Sequence, residues 1–212
     1  MQKVVVIGGG GHAKVVIDSL QNMNVYEIVG FTSAFGDQES LCGVKNIGDD
    51  TVIQTLVGQE VTGFIIAIGS NELRKKLFNK CLSSGLHPIN AIHPTATISP
   101  YASIGKGVMV AASAVINPYA IISDNAIINT NASVDHDCII DSHVHIAPGV
   151  TLTGSVRVKE GAFLGAKCTV VPQKSIGEWA KVGAGATVLQ DVAPYSTVVG
   201  TPAKIIKQKD DI

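Results

Sequence analysis

Residues 116–152, INPYAIISDNAIINTNASVDHDCIIDSHVHIAPGVTL, decide the fold. An aliphatic residue stands at every sixth position, at Ile116, Ile122, Ile128, Val134, Ile140, Ile146 and Leu152. Four places after each comes a small or β-branched residue: Ala120, Ala126, Ala132, Cys138, Val144, Val150 and Val156. Followed outward in both directions, the aliphatic register runs unbroken from Ile92 to Val188, seventeen hexads without an insertion, and Lys174 is the one departure at the small position. Side chains alternate along a strand, so a small and an aliphatic residue two apart point inward and a corner completes the six. Three such sides close a coil of eighteen residues. The pattern predicts a parallel β-helix of about six coils, roughly 27 Å tall at about 4.8 Å per rung, in which each coil hydrogen-bonds to the next.

Before this repeat the grammar is different. Val4–Ile7 is a β-branched run that stops at the four glycines Gly8 to Gly11, and 12–23 carries apolar residues at helical spacing. A second strand is expected over 25–31, a short helix over 49–57, a third strand over 62–68 and an amphipathic helix over 71–84 closed by Gly85. Alternating strands and helices imply a small parallel sheet flanked by helices. The expected organisation is α/β plus all-β, with a Rossmann-like domain over 1–88 and the β-helix over 89–212.

The bulk composition narrows the function. With 46% apolar and 16% charged residues the 212-residue chain has ample core, and a formal net charge of -1 offers no basic field for nucleic acid. The longest apolar runs fall far short of the roughly 20 residues that cross a bilayer. The N-terminus enters a strand at once, without the pattern of a signal peptide, which reads as a cytoplasmic protein. Cys42, Cys81, Cys138 and Cys168 lack paired metal-ligand spacing, and Cys138 and Cys168 fall on inward positions. The cluster His136, His143 and His145 does not have the spacing of the zinc-binding β-helix carbonic anhydrases, so no metal is expected.

Aliphatic-small hexads of this kind resemble those of the left-handed β-helix acyltransferases. GGGGHAK (8–14), IAIGSN (66–71), NT (129–130), HDC (136–138), HIAPG (145–149) and GTPAK (200–204) narrow the likeness. Together they resemble the bacterial sugar acetyltransferases that modify nucleotide-linked 4-amino-sugars, with sialic acid O-acetyltransferases as relatives. The resemblance implies acetyl-CoA as co-substrate, a nucleotide-linked sugar as acceptor, and His136 as the base that takes a proton from the attacking group.

The residues themselves place these parts. His136 lies two positions after the inward Val134, at a corner, where Asp137 can converge on it and orient the imidazole. Gly154 is eighteen residues on, hence one rung above His136, with an amide available to a thioester carbonyl. His145 is half a coil from His136 and falls on the opposite side of the prism. If both serve one ligand they come from different subunits, which predicts a homotrimer with interfacial active sites. By resemblance, Ala166 and Ala184 join His145 and Gly154 in binding acetyl-CoA. Gly10, Gly11 and His12 form the sugar-nucleotide loop, Ala67, Gly69 and Asn71 the facing strand end, and Asn129 a position near the sugar. Thr32 and Ser33 stand where the family usually carries acidic residues for the nucleotide. The alternative readings are O-acetylation of a sialic acid or another sugar hydroxyl, and a non-catalytic β-helix that binds a nucleotide-sugar.

Overall fold

In the computed structural model, which describes residues 1–34, 38–57 and 60–208, the N-terminal run forms β1 (Gln2–Ile7), followed by α1 (Gly11–Met23) and β2 (Tyr26–Thr32). A two-stranded antiparallel hairpin, β3 (Ser40–Leu41) and β4 (Val44–Lys45), was not expected from the sequence. The short helix α2 spans only Ile53–Leu56, because Asp49 turns back on itself to accept from the Thr51 amide (2.8 Å) and hydroxyl (2.6 Å). Then come β5 (Gly63–Ile66), α3 (Asn71–Ser83) and β6 (His87–Pro88). The parallel sheet has the order β2-β1-β5-β6. Val4 to Ile7 and Phe64 to Ile66 bury on both faces, as a strand covered by helices requires.

From Ala91 onward the chain winds into three parallel sheets of two-residue rungs. Successive rungs are offset by eighteen residues as far as Thr187–Val188, as in Met109–Ile127–His145–Phe163 and Val115–Ser133–Thr151–Thr169, and the last pairings, Ile176 with Val192 and Lys181 with Thr197, are sixteen apart. The inward aliphatic and small positions of the central coils are fully buried. Cys138 and Cys168 are among them, with burial pushing their thiols up to about 11 and about 12. A hairpin, Ser196–Val199 with Lys204–Gln208, closes the C-terminal end of one sheet.

The corners follow one rule. From Gly107 to Gly185 every third residue after an inward aliphatic has positive φ, including Tyr119, Asn125, Asn131, Asp137, His143, Lys167 and Trp179. This left-handed residue turns the chain by one side of the triangle. Asparagine and aspartate tolerate it, whereas tyrosine, lysine and tryptophan occupy it against preference.

One sheet and one column of corners carry the N-terminal domain. The outward residues of that sheet, Ala91, Met109 and Ile127, are buried with α1 and β1 in a shared core. Beside it α3 lies along the corner column Gly107–Asn125–His143–Gly161–Trp179. An α-helix rises about 5.4 Å per turn and rungs are about 4.8 Å apart, so each turn of α3 meets about one coil. Asn71 donates to Gly161 O (2.9 Å) and Ala162 O (3.0 Å). One turn on, Arg74, fully buried, donates to His143 O (2.6 Å), Val144 O (3.2 Å) and Asn125 O (3.1 Å) across the seam. The same guanidinium holds Asn71 Oδ1 at 2.7 Å and the carbonyls of Ile68 and Gly69 on its own side. Phe78 lies against Gly107 and meets His143 edge-on at 5.9 Å, while Lys75 pairs with Glu160 and sits 5.5 Å over the Trp179 ring.

Arg74 is therefore a charge held by carbonyl dipoles in place of a carboxylate, and burial draws its pKa down to about 9, still cationic at neutral pH. Around it the seam histidines are neutral. His143 Nδ1 accepts from Asn125 at 2.8 Å, and burial lowers its pKa to about 4. Asn129 accepts from the Thr130 amide through Oδ1, so its amino group faces His145 Nε2 at 3.2 Å and leaves the proton on Nδ1, 3.4 Å from Gly69 O. Burial, then Arg74 and His12, bring His145 down to about 3, and burial, then Arg74, bring His12 to about 4.

Two outcomes are expected. Arg74→Met strands several buried carbonyls at once and lowers the unfolding free energy by on the order of 3 kcal/mol, read by urea titration. A loss no larger than that of the exposed Lys76→Ala contradicts the latch. Separately, His12, His143 and His145 have folded pKa values below the ordinary 6.5, so the unfolded chain binds more protons as pH falls. Their contribution is complete above that value and is lost on acidification toward pH 4, each by about 1.4 kcal/mol per pH unit. His145→Gln should reduce the slope of stability against pH by about one proton, and an unchanged slope contradicts the assignment.

Candidate active site

Two groups of side chains stand on different parts of the molecule. The first surrounds a cleft of about 400 Å³ at the C-terminal edge of the N-terminal sheet, lined among others by Gly8 to His12, Thr32, Ser33, Asp50, Ala67 and Gly69. It exists because β1 ends in a loop of glycines. Gly8 has φ +121, and a Cβ there would lie 2.8 Å from Ala67 O, so only glycine lets the two strand ends approach. Gly10, the N-cap of α1, offers no side chain to the first helical amides, which leaves them facing the cleft with the positive end of the helix dipole. This arrangement suits an anionic, phosphate-bearing ligand. His12 Nε2 is buried with no hydrogen-bond partner among the described residues, and its ring centroid is 6.2 Å from that of His145.

Sequence reading missed one acidic residue of this cleft. Thr32 and Ser33 stand at the end of β2 in place of a carboxylate, but Asp50, eighteen residues beyond Thr32, reaches the same place from the loop before α2. Thr32 is fully buried, donates to Asp50 Oδ1 at 2.8 Å and accepts from the Gly8 amide at 3.3 Å. Its hydroxyl joins the glycine loop to Asp50, and the residue lines the cleft beside Ser33. No spacing motif marks Asp50, since a loop of free length delivers it.

Asn71 stands at the domain seam. Its side chain is 8% exposed, and both amide hydrogens and the oxygen are engaged at the domain seam, so it latches α3 to the solenoid and does not reach into the cleft. His145 and Asn129 are bonded to one another beneath the N-terminal domain, on the cleft side of the prism. His145 thus groups with His12 and Gly69, half a coil from the corner of His136 and Gly154.

The second group lies at the corner between the six-stranded and five-stranded sheets, between the rungs Ser133–Val134 and Ile139–Ile140. Asp137 has φ 59, which breaks strand alternation and swings its carboxylate to the same side as His136. His136 Nδ1 stands 2.7 Å from Asp137 Oδ2. A carboxylate only accepts, so Nδ1 carries the proton and Nε2 presents a lone pair. Asp135, also missed, accepts through Oδ1 from the His136 amide at 2.8 Å and from Asn117 Nδ2 at 2.9 Å, which ties the corner to the rung below. The bond to Asp137 foremost, with Asp135 nearby, raises the His136 pKa above its ordinary value, the reverse of the buried histidines.

Gly154 is buried one rung above, and a Cβ there would lie 2.6 Å from His136 Cε1 and Nε2. The space a Cβ would take is occupied by the imidazole, so a glycine here lets the ring stand against the rung above. Ala166 and Ala184 stand on another corner, between the eight-stranded and six-stranded sheets, half-buried and exposed respectively. A basic, oriented imidazole on an exposed corner and a phosphate-suited cleft on the far face are the parts of a proton-coupled group transfer to a large anionic substrate.

Comparison with known proteins agrees with this division. Residues 3–81 match the PglD N-terminal domain, and residues 119–154 match the bacterial transferase hexapeptide, six repeats. PerB from Caulobacter crescentus, solved in complex with CoA and GDP-perosamine, is 42% identical with a TM-score of 0.94, and the match covers 98% of each chain. The acetyltransferase domain of PglB from Neisseria gonorrhoeae is 36% identical over 97% of this chain and 100% of its own, with a TM-score of 0.93. Serine acetyltransferase of Escherichia coli K12 is 35% identical over 80 residues, which is 34% of this chain and 29% of the enzyme, so the chain spans under a third of that curated relative. Likeness from end to end, through both the N-terminal domain and the left-handed solenoid, places the chain in the hexapeptide-repeat acetyltransferases of nucleotide-linked amino sugars.

Proposed function

We propose that this protein transfers the acetyl group of acetyl-CoA to the 4-amino group of a nucleotide-linked amino-dideoxy-sugar, for assembly of a glycan or surface polysaccharide. The observation that carries the reading is the His136–Asp137 pair, with Nδ1 held at 2.7 Å and Nε2 left as a base on a ring that is 57% exposed. The amine nitrogen attacks the thioester carbonyl, its excess proton passes to His136 Nε2, and collapse of the tetrahedral adduct breaks the C–S bond. The protonated imidazole, stabilised by Asp137, then returns the proton to the leaving thiolate. Holding both substrates at one corner supplies a large part of the acceleration.

The nucleotide is assigned to the glycine cleft, with Gly10, Gly11, His12, Ser33, Ala67 and Gly69 around it, as befits a loop of amides at a helix N-terminus. Acetyl-CoA is assigned to Gly154, Ala166 and Ala184, whose small side chains let a long thin ligand run along the coils. His136 and these alanines occupy the two corners that flank the six-stranded sheet. One site that uses both draws a corner from each of two copies, and threefold symmetry closes the set into a homotrimer. PerB was solved with CoA and GDP-perosamine, and the PglB domain with acetyl coenzyme A, which supports the same pair of substrate classes here. Acetyl-CoA as donor makes the cytoplasm the expected compartment.

Thiol release from acetyl-CoA, followed with GDP-, UDP- and dTDP-linked 4-amino-4,6-dideoxyhexoses, tests the proposal. His136→Ala should lower kcat by about 10²- to 10⁴-fold with acetyl-CoA affinity nearly unchanged, and undiminished turnover would sink the assignment. Because the base form of His136 is required and its pKa is raised, activity should climb with pH to a midpoint above 6.5. Asp137→Asn should move that midpoint down with the same acceptor, and an unmoved midpoint contradicts the dyad.

A further inference from the structure

The corner that carries His136 and Asp137 is one level of a vertical column. Eighteen residues below Asp137, in the same left-handed corner position with φ 64, stands Tyr119, and eighteen below that stands Tyr101. The column is continuous, since the Asp137 amide donates to Pro118 O at 3.2 Å and the Tyr119 amide to Tyr101 O at 3.3 Å. The two rings stack with centroids 5.8 Å apart and planes at 30°. Tyr119 is nevertheless 63% and Tyr101 68% exposed, and Ile121, two residues after Tyr119, is 46% exposed. At the corners 125 and 131 the same backbone conformation is taken by asparagine, which tolerates it. Tyrosine at 119 takes the strain and stays largely exposed. Its backbone lies one rung, about 4.8 Å, below that of Asp137.

We infer that Tyr119, backed by Tyr101, is the platform on which the hexose ring of the acceptor lies while its amine meets His136. The inference rests on the acetyl transfer proposed above. Gly154, Ala166 and Ala184, assigned there to acetyl-CoA, all belong to coils C-terminal to His136, so the acceptor is left the N-terminal side of the imidazole. Tyr119 is the first residue of the column on that side. A deoxyhexose has an apolar face of ring C–H groups and a methyl, and an exposed aromatic ring with a polar tip matches it. The N-terminal domain covers a different sheet, so none of its described residues accounts for the pair.

The test uses Tyr119→Asn, matched to the residue at neighbouring corners, and Tyr119→Phe in the full-length protein, with the nucleotide-linked 4-amino-4,6-dideoxyhexose that the wild type acetylates. Tyr119→Asn should raise the acceptor KM by about three- to tenfold. The KM for acetyl-CoA, the affinity for the corresponding nucleoside diphosphate alone, and the particle mass in solution should stay as in the wild type, and Tyr119→Phe should restore the acceptor KM. Wild-type turnover with an unchanged acceptor KM in Tyr119→Asn overturns the platform alone. A fall in particle mass overturns it in favour of a subunit contact, and weakened binding of the nucleoside diphosphate overturns it in favour of a base-stacking site. A wild type that acetylates no amino sugar overturns the platform together with the proposed function.

Discussion

Every coil of the solenoid must lay its amides and carbonyls on those of the next, and this register of eighteen residues governs the rest of the molecule. A rung one residue out of step would turn the aliphatic ladder to solvent and leave the column of backbone groups unpaired. The constraint acts beyond the core. Because the corners are locked in phase, residues eighteen apart form vertical columns, and chemistry placed on one coil acquires fixed neighbours above and below. His136 lies under Gly154, and its neighbour Asp135 bonds Asn117 one rung below, for this reason. A glycine at 154 is required by the imidazole, since a Cβ there would overlap the ring.

The same columns explain how two unlike domains form one body. Helix α3 has nearly the pitch of the rungs, so Asn71, Arg74 and Phe78 each address their own part of the corner column without distorting either partner. Arg74 is central because carbonyls from both domains converge on one planar group, which fixes the angle as well as the distance. Its positive charge also reaches the cleft, where it helps hold His12 and His145 neutral.

Four histidines thus illustrate how environment sets protonation. His12, His143 and His145 share the seam with a buried cation and lose affinity for the proton, whereas His136 stands on a solvated corner between two carboxylates and gains it. His136 alone of these four has its affinity for the proton raised, on a ring that is 57% exposed. Nearness in sequence is no guide here. His143 and His145 are two residues apart and both serve the domain interface, while His136, seven residues before His143, faces the other way.

The solenoid, its inward ladder and the His136–Asp137 corner were all legible in the chain, because a strict six-residue period maps sequence position directly onto space. Gly154 above His136 followed from the same count, and so did the opposite placement of His145. The N-terminal strands, α1 and α3 were legible from periodicity and from the glycine loop. What only the tertiary structure decided is how nonrepeating segments meet. Asp50 reaches the cleft from an irregular loop, Asn71 and Thr32 spend their polar atoms on internal bonds, and Arg74 reads in the sequence as one more charge on an amphipathic helix. Periodicity states which way a residue points within its own element. It does not state what a second element will bring against that face, and burial by a neighbouring domain is what turned these side chains from surface groups into structural ones.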